Sequence, residues 1–149
     1  MAQETEQAEA ERVLRAGQEA LSLGRTERAA ESLTSAESRF RQLGQMERAG
    51  DARLALAETQ RQNGALDQAQ ASYERAVSYY KDAGAPSREA AATLALGHVE
   101  RQRGKIDAAW QNYYLAPALR AGGGYERASE RIAGAGACRA PAGPLHARG

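Results

Sequence analysis

A spacing of 40 residues organises this chain, and it constrains the fold more than any single residue does. Glycine recurs at Gly24, Gly64 and Gly104. Three further columns keep the same register: Ala29, Ala69 and Ala109; Leu33, Tyr73 and Tyr113; and Ala36, Ala76 and Ala116. Repetition at a period between about 20 and 50 residues is typical of helical arrays and other solenoids. The spacing therefore predicts a stack of similar units.

The segments between the glycines predict two helices in each unit. They are rich in Glu, Gln, Ala, Arg and Leu, and their apolar residues recur at intervals of three and four. Glu27, Asp67 and Asp107 follow the repeated glycine by three residues, where a carboxylate complements the start of a helix. Helices are predicted over residues 4–22, 26–43, 46–62 and 66–83, with a third pair in 84–120. The predicted fold is all-α, a stack of about three antiparallel hairpins.

The pattern weakens towards the C-terminal end. Pro117 lies inside the last predicted helix and is expected to kink it or end it. Gly124 keeps the register, but Gly134 and Gly136 stand where the earlier units have leucine. We therefore expect a helical repeat domain over 1–120 with units of about 4–43, 44–83 and 84–120, then a degenerate start of a fourth unit over 121–132, and then a disordered tail rich in Ala, Gly, Pro and Arg over 133–149.

Charge and composition limit the classes of partner. The chain has 20 Lys and Arg against 19 Asp and Glu, a formal net charge of +1, whereas a general nucleic-acid binder carries a basic excess. A run of about 18 apolar residues is missing, so no membrane-spanning helix is expected. The N-terminus lacks the pattern of a secretory signal, and Cys138 is the single cysteine. A cytoplasmic protein without nucleic-acid or membrane partners is expected.

The small residues of each unit resemble the tetratricopeptide repeat (TPR) family. That pattern combines small residues with one large residue, and the sets here are Gly17, Ala29, Leu33 and Ala36; Ala57, Ala69, Tyr73 and Ala76; and Gly97, Ala109, Tyr113 and Ala116. Small residues let paired helices approach closely. The usual unit has about 34 residues, so the chain resembles an extended variant. The resemblance implies a right-handed superhelix that binds proteins without catalysis.

The same resemblance supplies candidate partner-binding residues, because in TPR proteins the first helix of each hairpin lines a concave groove. They are Asp51, Leu54, Glu58, Arg61 and Gln62 in the second unit, and Leu94, His98, Arg101 and Gln102 in the third. Their spacings put each set on one helical face. Arg61 and Arg101 either grip a carboxylate or acidic peptide, or pair with neighbouring glutamates. Leu14, Leu54 and Leu94 either contact an apolar partner segment or belong to the core.

The residue pattern favours binding over catalysis. The predicted folded part has no pair of His or Cys at metal-ligand spacing and no nucleophile–base pair, so no enzyme activity, metal or cofactor is expected. His98 is interpreted as a surface histidine, the alternative being an acid or base beside Glu58 and Arg101. Trp110 either packs at the end of the stack or contacts a partner. The predicted function is protein or peptide recognition in the groove.

Two alternatives to that function stay open. One is a structural scaffold that forms a homo-oligomer through an uncapped C-terminal end of the stack, because a solenoid without a polar capping helix exposes apolar surface. The other is the front of a longer repeat-containing regulator.

Overall fold

The computed structural model of the protein describes residues 2–122, and these form six α-helices. The helices are α1 (Ala2–Ser22), α2 (Thr26–Gln42), α3 (Met46–Gln62), α4 (Leu66–Ala83), α5 (Pro86–Gln102) and α6 (Ile106–Gly122). They pack as consecutive antiparallel pairs, which confirms the predicted all-α stack of hairpins. The expectations for residues 123–149 lie outside the described part of the chain.

Each hairpin turns at a glycine in left-handed backbone geometry. Gly64 follows α3 with a φ of 78°. Its N–H donates to the carbonyl of Arg61 at 3.0 Å, and the N–H of the next residue donates to the carbonyl of Gln60 at 2.9 Å. These two bonds form a Schellman motif, which satisfies carbonyls at a helix end and requires a residue that tolerates positive φ. Gly24 and Gly104 have the same geometry, with φ of 73° and 80°. The repeated glycine is therefore a repeated helix stop.

Small residues dominate the contacts inside each hairpin, and one large side chain fills the space beside them. In the second hairpin, Tyr73 is fully buried against Ala57 and Ala69. In the third, Gly97 replaces the first alanine, and a Cβ at this position would stand 2.8 Å from the ring of Tyr113. The repeat-packing positions are buried apart from Tyr113, which is half-buried. Side chains this small allow the paired helices to approach closely.

The helix α6 does not end at Pro117, contrary to one of the two expectations for that residue. It continues to Gly122, with the proline inside it. Proline removes one backbone donor from the helical ladder. The continuation is stabilised by packing, because Ala116 and Leu119 are buried in one cluster with Ala90 of α5. Burial of apolar surface on both sides of the proline thus outweighs the lost hydrogen bond.

Candidate functional site

The C-terminal halves of α3 and α5 line an open cavity of about 310 Å³, with a contribution from α4. Its lining residues are Glu58, Arg61, Tyr73, Ala95, His98, Arg101 and Gln102. Arg61 follows Glu58 by three positions on α3, and Arg101 and Gln102 follow His98 by three and four positions on α5, so these side chains project towards the cavity. Because α3 and α5 hold the same place in successive units, the 40-residue repeat brings equivalent side chains to the same cavity.

Glu58 is the charged centre on the α3 side. Its carboxylate accepts a hydrogen bond from the Tyr73 hydroxyl and forms an ion pair with Arg61. Burial raises the pKa of Glu58, but the hydrogen bonds from Arg61 and Tyr73 and the charge of Arg61 outweigh burial and hold the pKa below its usual value. Burial and the neighbouring Glu58 also raise the pKa of Tyr73. At neutral pH, Tyr73 is therefore a neutral donor to a carboxylate whose charge Arg61 compensates.

The α5 side has the same layout without an acidic group. Arg101 Nε donates to the hydroxyl oxygen of Tyr113 at 3.2 Å, and His98 Nδ1 lies 3.1 Å from that oxygen. The rings of His98 and Tyr113 are tilted against each other with centroids 5.4 Å apart. His98 and Arg101 are both exposed. Within residues 2–122, no carboxylate forms an ion pair with Arg101.

The structure brings most of the predicted groove residues together. The cavity is lined by Glu58, Arg61, His98, Arg101 and Gln102. Gln62 and Leu94 are exposed on the same two helices but do not line the cavity, and neither do Leu54 and Asp51. Their part in partner binding stays a prediction. Arg61 pairs with a glutamate, whereas Arg101 has no ion pair with a carboxylate within residues 2–122, and the binding of an acidic partner by either arginine stays a prediction.

Asp51 lies in a different environment from the expected groove surface. It is only 8% exposed, and its carboxylate accepts hydrogen bonds of 2.6 Å from Tyr80, Arg48 and Arg88. These donors come from α3, α4 and α5, so Asp51 connects the second hairpin to the third. A buried carboxylate with three donors is satisfied inside the protein. The spacing along α3 could not reveal this, because the donors come mostly from other helices.

Leu14, Leu54 and Leu94, which occupy equivalent positions in the three units, have three different environments. Leu14 is 1% exposed and belongs to the core. Leu54 is half-buried and packs against two core clusters that contain Tyr73 and Tyr80. Leu94 is 36% exposed. The leucine at this position is therefore core in the first unit and surface in the third. Of the three, only Leu94 presents a substantial apolar surface.

Two hydroxyl groups at the site escaped the sequence reasoning. Tyr73 and Tyr113 are predicted only as packing residues, whereas their hydroxyls bond the polar side chains of the cavity. The sequence contained a signal for these hydroxyls, because the equivalent position of the first unit is Leu33, so packing alone does not require a tyrosine there. A tyrosine whose ring is buried usually needs a partner for its hydroxyl.

The outer face of α6 carries exposed apolar side chains. Trp110 is 44% exposed, contacts the ring of Tyr113 edge-on at 6.0 Å and stacks on Tyr114 at 5.9 Å. Tyr114 is 51% exposed and Ile106 is 47% exposed. Trp110 thus packs against aromatic rings of its own helix and is also accessible to a partner.

Two features are missing from residues 2–122. No three His, Cys, Asp or Glu side chains are grouped so that they could hold a metal ion. No helix in this range is both long enough and apolar enough to cross a bilayer.

The comparisons with known proteins agree with the repeat architecture. Residues 2–117 match the family described as soluble NSF attachment protein, SNAP. That family consists of TPR-like helical repeat proteins that act as non-catalytic adaptors. Comparison with curated proteins and with solved structures gives no match. Because the matched region spans most of the chain, the protein belongs to the SNAP family.

Proposed function

We propose that this protein is a non-catalytic adaptor that binds a protein partner on the surface lined by α3 and α5. The observation that carries the proposal is the cavity, which collects predicted groove residues from two successive units. Leu94 precedes His98 and Arg101 by four and seven residues, so it adds an exposed apolar contact on the same helical face. Gln62 and Gln102 add hydrogen-bonding groups at the helix ends. An apolar contact beside polar groups suits a protein partner.

The family's name supplies the first partner to test. The matched proteins are called soluble NSF attachment proteins. NSF is therefore the first candidate partner for this chain. Titration of purified NSF onto the immobilised full chain measures the dissociation constant directly.

A double variant tests whether the cavity is the binding surface. Replacing both cavity arginines, Arg61→Ala with Arg101→Ala, should weaken partner binding at least about tenfold, because arginines at interface centres carry a large share of the binding energy. The matched control is Arg28→Ala with Arg41→Ala, which removes the same charge from exposed positions of α2. Equal affinity of the cavity variant and the control would contradict the proposed surface.

Self-association is a second candidate function, and the exposed side chains of α6 favour it. Ile106, Trp110 and Tyr114 recur at intervals of four and form an apolar stripe on the last described helix. Light scattering across a concentration series should then show oligomers that Trp110→Ala with Tyr114→Ala dissolves, whereas Gln111→Ala on the same helix leaves them intact. A monomer at every concentration would rule this function out.

A further inference from the structure

The second hairpin contains a complete polar triad. Glu58, Arg61 and Tyr73 hold one another: the tyrosine hydroxyl and the guanidinium both donate to the same carboxylate. The ion pair leaves no net charge on this side of the cavity. Hydrogen bonds to a charged acceptor are stronger than neutral ones, so the triad is a favourable arrangement.

The third hairpin repeats this triad 40 residues later with one component exchanged. Arg101 and Tyr113 stand where the second hairpin has its arginine and its tyrosine, but His98 stands where the second has the glutamate. The contact between Tyr113 and Arg101 is kept at 3.2 Å. Only the Nε of Arg101 has a hydrogen-bond partner within residues 2–122, so both terminal amino groups of its guanidinium are free for an external acceptor.

We propose that the third hairpin binds an aspartate or glutamate side chain of the partner, which takes the role that Glu58 has in the second hairpin. The incoming carboxylate would accept hydrogen bonds from the terminal amino groups of Arg101. His98 would contribute its second ring nitrogen, since Nδ1 faces Tyr113. This assignment rests on the proposed function, because the acidic side chain belongs to the bound protein.

The charge and shape of the site fit a single carboxylate. Among the described residues that line the cavity, Arg61 and Glu58 compensate each other, whereas the charge of Arg101 is not compensated by an ion pair. A planar guanidinium matches the two oxygens of a carboxylate. The cavity volume of about 310 Å³ admits a carboxylate side chain. The second hairpin shows that this fold accommodates a carboxylate beside the equivalent arginine and tyrosine, Arg61 and Tyr73.

The direct test uses a defined acidic probe. The full chain is titrated with acetyl-triglutamate amide at constant ionic strength, while side-chain NMR signals of His98 and Arg101 are recorded. Saturable shifts of both side chains are expected, with none from acetyl-trilysine amide. Absence of saturable shifts would overturn the proposal. Inorganic phosphate at the same concentration should bind more weakly; equal binding would overturn the assignment to a carboxylate.

A pair of variants at one position separates the site from general charge effects. His98→Glu places the missing carboxylate inside the protein, in register with Glu58, and should weaken triglutamate binding at least about tenfold. His98→Gln removes the imidazole contact without adding a carboxylate, so it should weaken binding by less than His98→Glu does. The control Arg28→Gln, on the exposed face of α2, should keep the affinity within about threefold of the original chain. Arg101→Gln should lose binding as His98→Glu does. Unchanged affinity in either His98→Glu or Arg101→Gln would overturn the proposal.

Parallel titrations with NSF distinguish the two levels of the hypothesis. Triglutamate binding at His98 and Arg101 without NSF binding would support the carboxylate site and remove NSF as the partner. NSF binding that His98→Glu leaves unchanged would support the adaptor function and overturn the carboxylate site. Loss of NSF binding in His98→Glu but not in the control Arg28→Gln would support both.

Discussion

Gly17 and Gly97 face large side chains across their hairpins, and the freedom of those neighbours differs. A Cβ at Gly17 would stand 2.7 Å from Leu33, which is fully buried. A Cβ at Gly97 would stand 2.8 Å from the ring of Tyr113, which is only half-buried and can move outwards. An added methyl group therefore meets a fixed neighbour in the first hairpin and an adjustable one in the third.

This difference predicts unequal effects of the same substitution. Alanine in place of glycine favours a helix by about 1 kcal/mol, whereas overpacking a core costs about 1–3 kcal/mol. We expect Gly17→Ala to lower the free energy of unfolding by about 1–2 kcal/mol and Gly97→Ala to leave it within about 0.5 kcal/mol. Urea titrations of both variants measure these changes. Equal losses would show that Tyr113 is as fixed as Leu33.

Glu89 is a buried acid that is poorly satisfied. It is 2% exposed, and within the described residues its Oε2 has no hydrogen-bond partner. Burial raises the pKa of Glu89, and the opposing charge of Lys81 reduces that effect. A raised folded-state pKa stabilises the fold below the unfolded-state pKa of about 4.3, and this contribution is lost as the pH rises through the folded-state value.

Glu89→Gln should therefore stabilise the protein at pH 7, because it removes a buried charge and keeps the shape of the side chain. The advantage should shrink as the pH falls towards the pKa of the acid, where the native glutamate is protonated. Thermal unfolding at pH 7 and pH 5 measures this trend, with Glu31→Gln on the exposed face of α2 as the control. A variant that is less stable at pH 7 would contradict the prediction.

The first helix of each hairpin ends at the repeated glycine, and this gives a prediction about helix ends. Gly64 has a φ of 78°, and a Cβ there would meet no atom within 4 Å. Any effect of Gly64→Ala must therefore come from the backbone. A left-handed conformation costs an ordinary L-residue about 1–2 kcal/mol, and we expect that loss in the free energy of unfolding.

Asparagine tolerates the left-handed region better than alanine does. Gly64→Asn should consequently cost less than Gly64→Ala, and urea titration of the two variants compares them directly. The opposite order would mean that the turn is not limited by backbone geometry.

Helix α6 shows the limit of reading elements from sequence. Helical spacing and the glycine at its start predict the element, and the structure places it at Ile106–Gly122. The effect of Pro117 could not be read locally, because the continuation depends on Leu119 and Ala116 packing against α5. Local propensity supplies only a weak preference, and tertiary packing overrides it.

At the scale of the molecule, residues 2–122 form a linear stack in which each helix packs mainly on its neighbours in sequence. In such arrays the stability is close to a sum over units and their interfaces, and the ends have fewer partners than the interior. Hydrogen exchange should therefore be slowest in α3 and α4, and faster in α1 and α6. Mass spectrometry of exchanged peptides checks this order. Uniform protection across all six helices would indicate a single cooperative unit.

Part of the candidate site could be predicted from the sequence, and part depends on how the helices pack. The 40-residue register places Arg61 and Arg101 at equivalent positions, so their approach to one cavity could be predicted. The internal hydrogen bonds of Asp51 could not be predicted, because its donors Tyr80 and Arg88 come from α4 and α5. Spacing along one helix identifies a face, but it does not say which neighbouring helix covers that face.

The sequence by itself determined the number of units, the places where the helices stop and the small residues along their contacts. These properties follow from local backbone geometry and from periodicity, and both can be read from the linear sequence. Only the tertiary structure decided that, within residues 2–122, Glu58 is compensated by Arg61 whereas Arg101 has no carboxylate partner, and that Leu14 is core whereas Leu94 is surface. Those properties depend on which side chains of different helices meet, and the physical reason is that burial and charge pairing are set by neighbours in space.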